Sequence, residues 1–336
     1  MTYRQAAITS PIQSESLSYH QAQNSYPGVI KLSKALDIEW VYTPTFTSES
    51  LFPYLAQSIS YLSGSLYIVG GAGGPHLIRV TESGETKEWL RSSPVGGFAH
   101  VTNDGTDIYV SATTFGTSYR LESDNSIQWS RANGLFTSQR FFVNGSYFYG
   151  QGGKYNISDG SDYALASGQP GGNGNAVADG SYVWFAGRTS NAPTLTKHND
   201  DSSLGKVWTY TGNGSASSLW IGNVAVDNSE AYFLYGNGGA SWVEEISSGG
   251  SSNWDYKVGG IGTTIGNVLV DSTHVFVSVT RNSDWEDASG ASDYATIIKL
   301  DRNGSYVSHL DTGSRPITMT FGGGDIYCCS GGFFAN

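Results

Sequence analysis

Residues 281–294, RNSDWEDASGASDY, hold four carboxylates: Asp284, Glu286, Asp287 and Asp293. Hard oxygen donors this close together can take a calcium ion, with Asp284, Asp287 and Asp293 as candidate ligands; a solvated acidic loop is the alternative. The same stretch carries Trp285 and Tyr294. Rings of that kind stack on a sugar or anchor a protein partner. A second constellation is a repeated dipeptide, Gly174–Asn175, Gly222–Asn223 and Gly266–Asn267, at the start of three strand-like runs. Asn175, Asn223 and Asn267 would present amides at one mouth of a channel and suit a polar, uncharged ligand such as a glycan. Amides at strand starts also satisfy one another and the backbone.

Other chemistry is thinly represented. The six histidines (His20, His76, His100, His198, His274 and His309) show no metal-ligand spacing. His100 falls on a strand-like run that would line a channel. No nucleophile elbow, phosphate loop or dinucleotide fingerprint occurs. Asp104, Asp179, Asp227 and Asp271 all lie in polar turns, where Asp is favoured for backbone reasons. The sequons at Asn144, Asn156, Asn213 and Asn303 are acceptors only after secretion, and the three Asn-Gly cases read as turns. The net charge of −11 and pI near 4.9 argue against a nucleic-acid groove. No apolar run is long enough to span a membrane, and the polar start does not resemble a secretory signal.

These side chains must be positioned by short strands. His76–Val80, Thr86–Leu90, Phe98–Thr102 and Ile108–Ala112 alternate in hydrophobicity between Gly-containing turns and read as one four-stranded antiparallel unit. Two ladders repeat it. One is a strand–turn–strand element ending at Trp40, Trp89, Trp129, Leu165, Trp208, Trp254 and Leu310. The other is a polar turn and aromatic strand, aligned on Tyr67, Tyr109, Phe148, Val183, Tyr232, Phe276 and Tyr327, with spacings of 42, 39, 35, 49, 44 and 51 residues. A period of this size with four strands per unit predicts an all-β, seven-bladed β-propeller, four antiparallel strands per blade. The last blade is expected to close by pairing an N-terminal hairpin (29–42) with a C-terminal hairpin (317–331), hiding the free edges. Residues 1–27 then form an extended N-terminal arm and 28–336 the propeller.

The segments KALDIEW, ESGETKEW and ESDNSIQW resemble the tryptophan-docking repeat of the quinoprotein-like propeller family, A-x-D-x-x-T-G-x-x-x-W. The resemblance implies fold and not function, since enzymes, scaffolds and binding proteins share the repeat. The family's enzymes usually have eight blades, against seven here. Its quinone-dependent alcohol dehydrogenases carry an adjacent-cysteine disulfide ring beside the cofactor, and Cys328–Cys329 is the corresponding dipeptide. It lies in an aromatic-ladder strand, at rungs held elsewhere by Ile68–Val69, Trp184–Phe185 and Phe233–Leu234. Burial as two small hydrophobes is expected, with no cofactor.

The functional expectation is a non-enzymatic structural and binding propeller of a virus or phage particle. It would be made in the host cytoplasm and attached to other particle subunits through residues 1–27, with Tyr3, Tyr19 and Tyr26 as docking anchors. Its loops would contact a subunit or a host glycan. A propeller enzyme acting on polysaccharide and a cytoplasmic interaction scaffold are the alternatives.

Overall fold

A computed structural model describes residues 26–42, 56–70, 76–82, 86–91, 98–112, 118–122, 124–131, 141–150, 153–159, 161–165, 167–168, 170, 175–213, 220–236, 240–260, 264–280, 295–313 and 316–333. All regular structure among them is β, with no helix long and apolar enough to cross a membrane. Trp285, Tyr294, Asp284, Asp287, Asp293, Tyr3 and Tyr19 lie outside the described residues.

The chain begins with β1 (Tyr26–Leu32) and β2 (Ile38–Tyr42), which belong to the last blade. Blade 1 is β3 (Ala56–Leu62), β4 (Ser65–Gly70), β5 (His76–Thr81) and β6 (Thr86–Arg91). Blade 2 is β7 (Phe98–Asn103), β8 (Ile108–Ala112), β9 (Ser118–Leu121) and β10 (Ile127–Arg131). Blade 3 is β11 (Phe142–Asn144), β12 (Tyr147–Gly150), β13 (Gly153–Asn156) and β14 (Asp162–Leu165). Blade 4 is β15 (Ala176–Ala178), β16 (Tyr182–Thr189), β17 (Ala192–Asn199) and β18 (Lys206–Thr211). Blade 5 is β19 (Trp220–Asp227), β20 (Glu230–Gly236), β21 (Ser241–Ile246) and β22 (Ser252–Gly259). Blade 6 is β23 (Thr264–Val270), β24 (His274–Thr280), β25 (Ala295–Asp301) and β26 (Tyr306–Gly313). Blade 7 joins β27 (Pro316–Gly322) and β28 (Asp325–Phe333) to β1 and β2, in the order β2-β1-β28-β27.

The strands β3, β7, β11, β15, β19, β23 and β27 each touch the next, and β27 returns to β3, so the ring is closed and seven-bladed. Closure runs through antiparallel β1 and β28, Lys31 opposite Tyr327 and Ile30 opposite Cys328. Both closing hairpins extend slightly beyond the expected spans. Tyr26, expected on the arm, enters β1 opposite Phe333.

The unit read from residues 76–113 is divided between two sheets. Its first two strands are the outer half of blade 1 and its last two the inner half of blade 2. Alternation finds strands but not the point where the chain leaves one sheet for the next.

The core lies between blades. Alternate residues of each sheet face opposite neighbours, giving clusters such as Tyr232, Val243, Val277 and Ile298 between blades 5 and 6. Every outermost strand also carries a β-bulge against the third strand of its sheet, in all seven blades. Bulges twist an exposed edge away from regular pairing, which protects a rim of seven edge strands from mispairing.

Candidate functional site

Polar side chains form a belt where six of the seven innermost strands begin. Matching the pairing to the second strand places Ser58, His100, Asn175, Asn223, Asn267 and Thr318 at one level in blades 1, 2, 4, 5, 6 and 7. Within each blade these positions follow directly from register. What they bond to depends on the neighbouring blade.

His100 links three blades. Its Nε2 lies 3.0 Å from the Phe141 carbonyl, which can only accept, so Nε2 carries the proton. Nδ1 is then the acceptor for the Ser58 hydroxyl at 2.7 Å. A hydroxyl donating to an imidazole of fixed tautomer is the arrangement that activates a serine nucleophile. Ser58 is only 1% exposed, so a substrate cannot approach its oxygen while the ring is closed.

The asparagines also turn sideways. Asn175 donates its side-chain amide to Asn223 Oδ1, joining blades 4 and 5. Asn267 donates to the Met319 carbonyl at 2.8 Å and accepts from the Met319 N–H at 2.9 Å, joining blades 6 and 7. The amides thus act as clasps between innermost strands.

A second array lies further out, where an aromatic, a cation and an outer-strand residue stand side by side and face the next blade. Lys31 lies 5.9 Å from the Tyr327 ring, Arg120 5.8 Å from Tyr109, Lys154 5.7 Å from Tyr149, Lys197 5.0 Å from Trp184 and Lys299 5.8 Å from Phe276. Such contacts contribute about 0.5–2 kcal/mol each, depending on desolvation. Blade 5 has Glu245 in the cation's place, and Arg302 of blade 6 supplies the charge, 4.8 Å from the Tyr232 ring. The rungs in blades 3 and 4 are Tyr149 and Trp184, one residue beyond the expected Phe148 and Val183.

The indoles complete the array. Nε1 of Trp129, Trp208 and Trp254 donates to the carbonyls of Ile157, Ser248 and Arg302 at 2.8, 3.0 and 3.0 Å, in each case in a turn of the following blade. Opposite the cations of blades 1, 3 and 6 stand Lys87, Ala164 and Ser308, rather than the expected Trp89, Leu165 and Leu310.

One carboxyl is unusual. Glu244 is 0% exposed between blades 4 and 5, with both oxygens accepting from tyrosine hydroxyls, Oε2 from Tyr210 and Oε1 from Tyr235. Burial raises its pKa, and the two hydrogen bonds oppose that shift only in part. Sequence pattern gave no hint of it, because Glu244 sits where strand alternation expects an apolar residue. Asp104, Asp179 and Asp271 each accept two backbone N–H groups of their own turns, and Asp271 and Asp227 also pair across a seam, with Lys34 at 2.8 Å and Arg302 at 2.7 Å. Cys328 and Cys329 are free thiols, fully buried in different inter-blade clusters, and burial pushes the Cys328 thiol up to about 12. Among the described residues no group of acidic, histidine or cysteine side chains is arranged to hold a metal.

No family model and no curated protein sequence matches this chain. Solved propellers do match in three dimensions. Virginiamycin B lyase from Staphylococcus aureus aligns over 90% of this chain and 98% of its own, with TM-score 0.61 and 11% identity. BamB from Moraxella catarrhalis aligns over 91% and 92%, with TM-score 0.55 and 11% identity. A quinonprotein alcohol dehydrogenase-like protein from Bacteroides thetaiotaomicron aligns over 90% and 77%, with TM-score 0.56 and 12% identity. The likeness is one of fold. At such identities chemistry has to be argued from side chains, and here the belt and the ladder join blade to blade.

Proposed function

We propose that this chain is a non-enzymatic, quinoprotein-like propeller that serves as a structural and binding subunit of a virus or phage particle. The observation that carries the non-enzymatic part is where its reactive groups go. Ser58, Lys154, Lys197, Glu244 and Lys299 are buried, and each bonds a group in an adjacent blade. A rigid disc whose internal polar groups are committed to its own seams is suited to presenting loops. In this reading the residues before β1 attach the disc to neighbouring subunits through Tyr3 and Tyr19, while Tyr26 stays in the closing blade. The loop 281–294, with Trp285 and Tyr294, contacts a subunit or a host glycan. The low charged content of 14% and the wealth of Gly and aromatics support a particle protein in which packing dominates.

Mass spectrometry of purified particles tests this directly. The chain should appear at fixed copy number, and deleting residues 1–25 should abolish incorporation while leaving a folded propeller. Recovery solely as a free protein in lysate would defeat the particle assignment.

An enzyme acting on polysaccharide has one observation in its favour, the raised pKa of Glu244 between two phenols. Its complete burial counts against it. A pair of glycosidase carboxyls must reach a sugar from opposite sides.

A further inference from the structure

We infer that the ring is built to part between blades 2 and 3. Two residues beyond the aromatic ladder, the second and third strands pair Val69 with Leu77, Ala186 with Leu195, Leu234 with Val243, Ser278 with Ile297 and Cys329 with Val29 in blades 1, 4, 5, 6 and 7. In each of these five at least one member is a larger apolar side chain. Blade 2 differs. Its register, Val110 opposite Tyr119, continues to Ser111 opposite Ser118. Ser111 is 0% and Ser118 1% exposed, and neither hydroxyl has a hydrogen-bond partner.

Both serines face blade 3. Tyr109, two residues before Ser111 and so on the same face, packs with Phe141, Phe148 and Tyr155 of that blade. Phe148 and Tyr155 are followed, on the side facing back, by the paired Gly150 and Gly153. Among the described residues, the row that holds the two orphan hydroxyls is thus matched in blade 3 by a row that ends in two glycines. The contrast with blade 6 is instructive. There Ser278 Oγ accepts from the Asn267 N–H at 2.8 Å and lies 3.2 Å from Asn267 O and Oδ1. In blade 2 the belt residue is His100, whose two nitrogens are directed to Ser58 and Phe141, leaving Ser111 unmet.

A buried hydroxyl without a partner disfavours the closed state, and hydration on opening recovers the loss. At this level blade 2 presents two serines where blades 1, 4, 5, 6 and 7 present at least one larger apolar side chain. Parting would hydrate Ser111 and Ser118 and uncover His100 at the inner end of their row. Blades 1, 4, 5, 6 and 7 keep this level apolar or hydrogen-bonded.

Hydrogen exchange read by mass spectrometry on the full chain tests the inference. Amides of β8, β9, β12 and β13 should exchange at least about tenfold faster than those of β20, β21, β24 and β25. Replacing both orphan hydroxyls, S111A with S118A, should slow exchange in blades 2 and 3 by about tenfold or more, since nothing bonded is removed. S278A should instead speed exchange in blade 6. Equal protection across the ring in the unmodified protein would overturn the inference. So would exchange that stays unchanged or quickens in the double variant.

Discussion

The indole of Trp254 occupies the space that a side chain on Gly304 would need. A β-carbon at Gly304 would fall 2.6 Å from the ring, and Gly304 has φ +80°. Trp208 stands over Gly250, φ +88°, in the same way, at 2.9 Å. Where the outer strand lacks an indole, the facing turn carries leucine in the left-handed position. Blade 3 has Ala164 at that rung, and the following blade has Leu204, φ +46°, in its turn; blade 6 has Ser308, and the following blade has Leu36, φ +72°. Leu204 and Leu36 are 1% and 6% exposed, within the clusters between blades 3 and 4 and between blades 6 and 7. Indole on one blade thus goes with glycine on the next, and a small residue at the rung goes with a buried leucine in the following turn.

Gly304→Ala should therefore lower stability by about 2–4 kcal/mol, combining overpacking with an unfavourable φ. Chemical denaturation measures the loss. A change below about 0.5 kcal/mol would show that the indole can move aside.

Leu36→Gly relieves a left-handed leucine but opens a cavity that Ser308 cannot fill. A net loss of about 2 kcal/mol is expected from the balance of the two effects. Adding S308W should restore at least half of it. Double-variant melting that is merely additive would refute the exchange of volume.

Glu244 sets a pH dependence of definite sign. Its folded pKa is raised above the unfolded value, so its contribution is fully present below the unfolded pKa and is lost as pH rises through the folded one. Glu244→Gln should flatten the fall in stability above acidic pH and should not weaken the protein at neutral pH. Tyr235→Phe, which removes one donor, should cost about 1–3 kcal/mol. Unfolding measured from pH 4 to pH 8 distinguishes these outcomes.

The buried thiols make a chemical prediction. With Cys328 pushed up to about 12 and both side chains sealed between blades, a disulfide reagent at pH 8 should leave the native protein unlabelled. Labelling should follow unfolding. Fast reaction of the native protein would contradict the packing of blade 7.

The sequence made the number of blades and the shared last blade legible, because turn chemistry and aromatic strands depend on local residues. It also contained the correct rungs in blades 3 and 4. Asn144 to Tyr149 and Asp179 to Trp184 have the same spacing as Asp104 to Tyr109, whereas choosing Phe148 and Val183 departs from it. The outer ladder was harder to read. Looking for an apolar counterpart of Trp picks Leu165 and Leu310, one and two residues past Ala164 and Ser308, because small residues at a rung carry no signal of their own. The asparagine clasps were legible in kind, as amides that satisfy one another and the backbone. Which partner each takes was not, since Asn175 meets Asn223 48 residues away while Asn267 meets the Met319 backbone.

Having β1 beside β28 also governs the order of assembly. As the chain emerges from a ribosome, six sheets can form in succession, but the seventh must wait for β28. Until then the molecule is an open crescent, with a lone hairpin at one end and an uncovered sheet at the other. That interval is its most vulnerable one. A second nascent copy could donate its own β1 hairpin to the gap, so crowding on a shared messenger would favour swapped pairs over single rings.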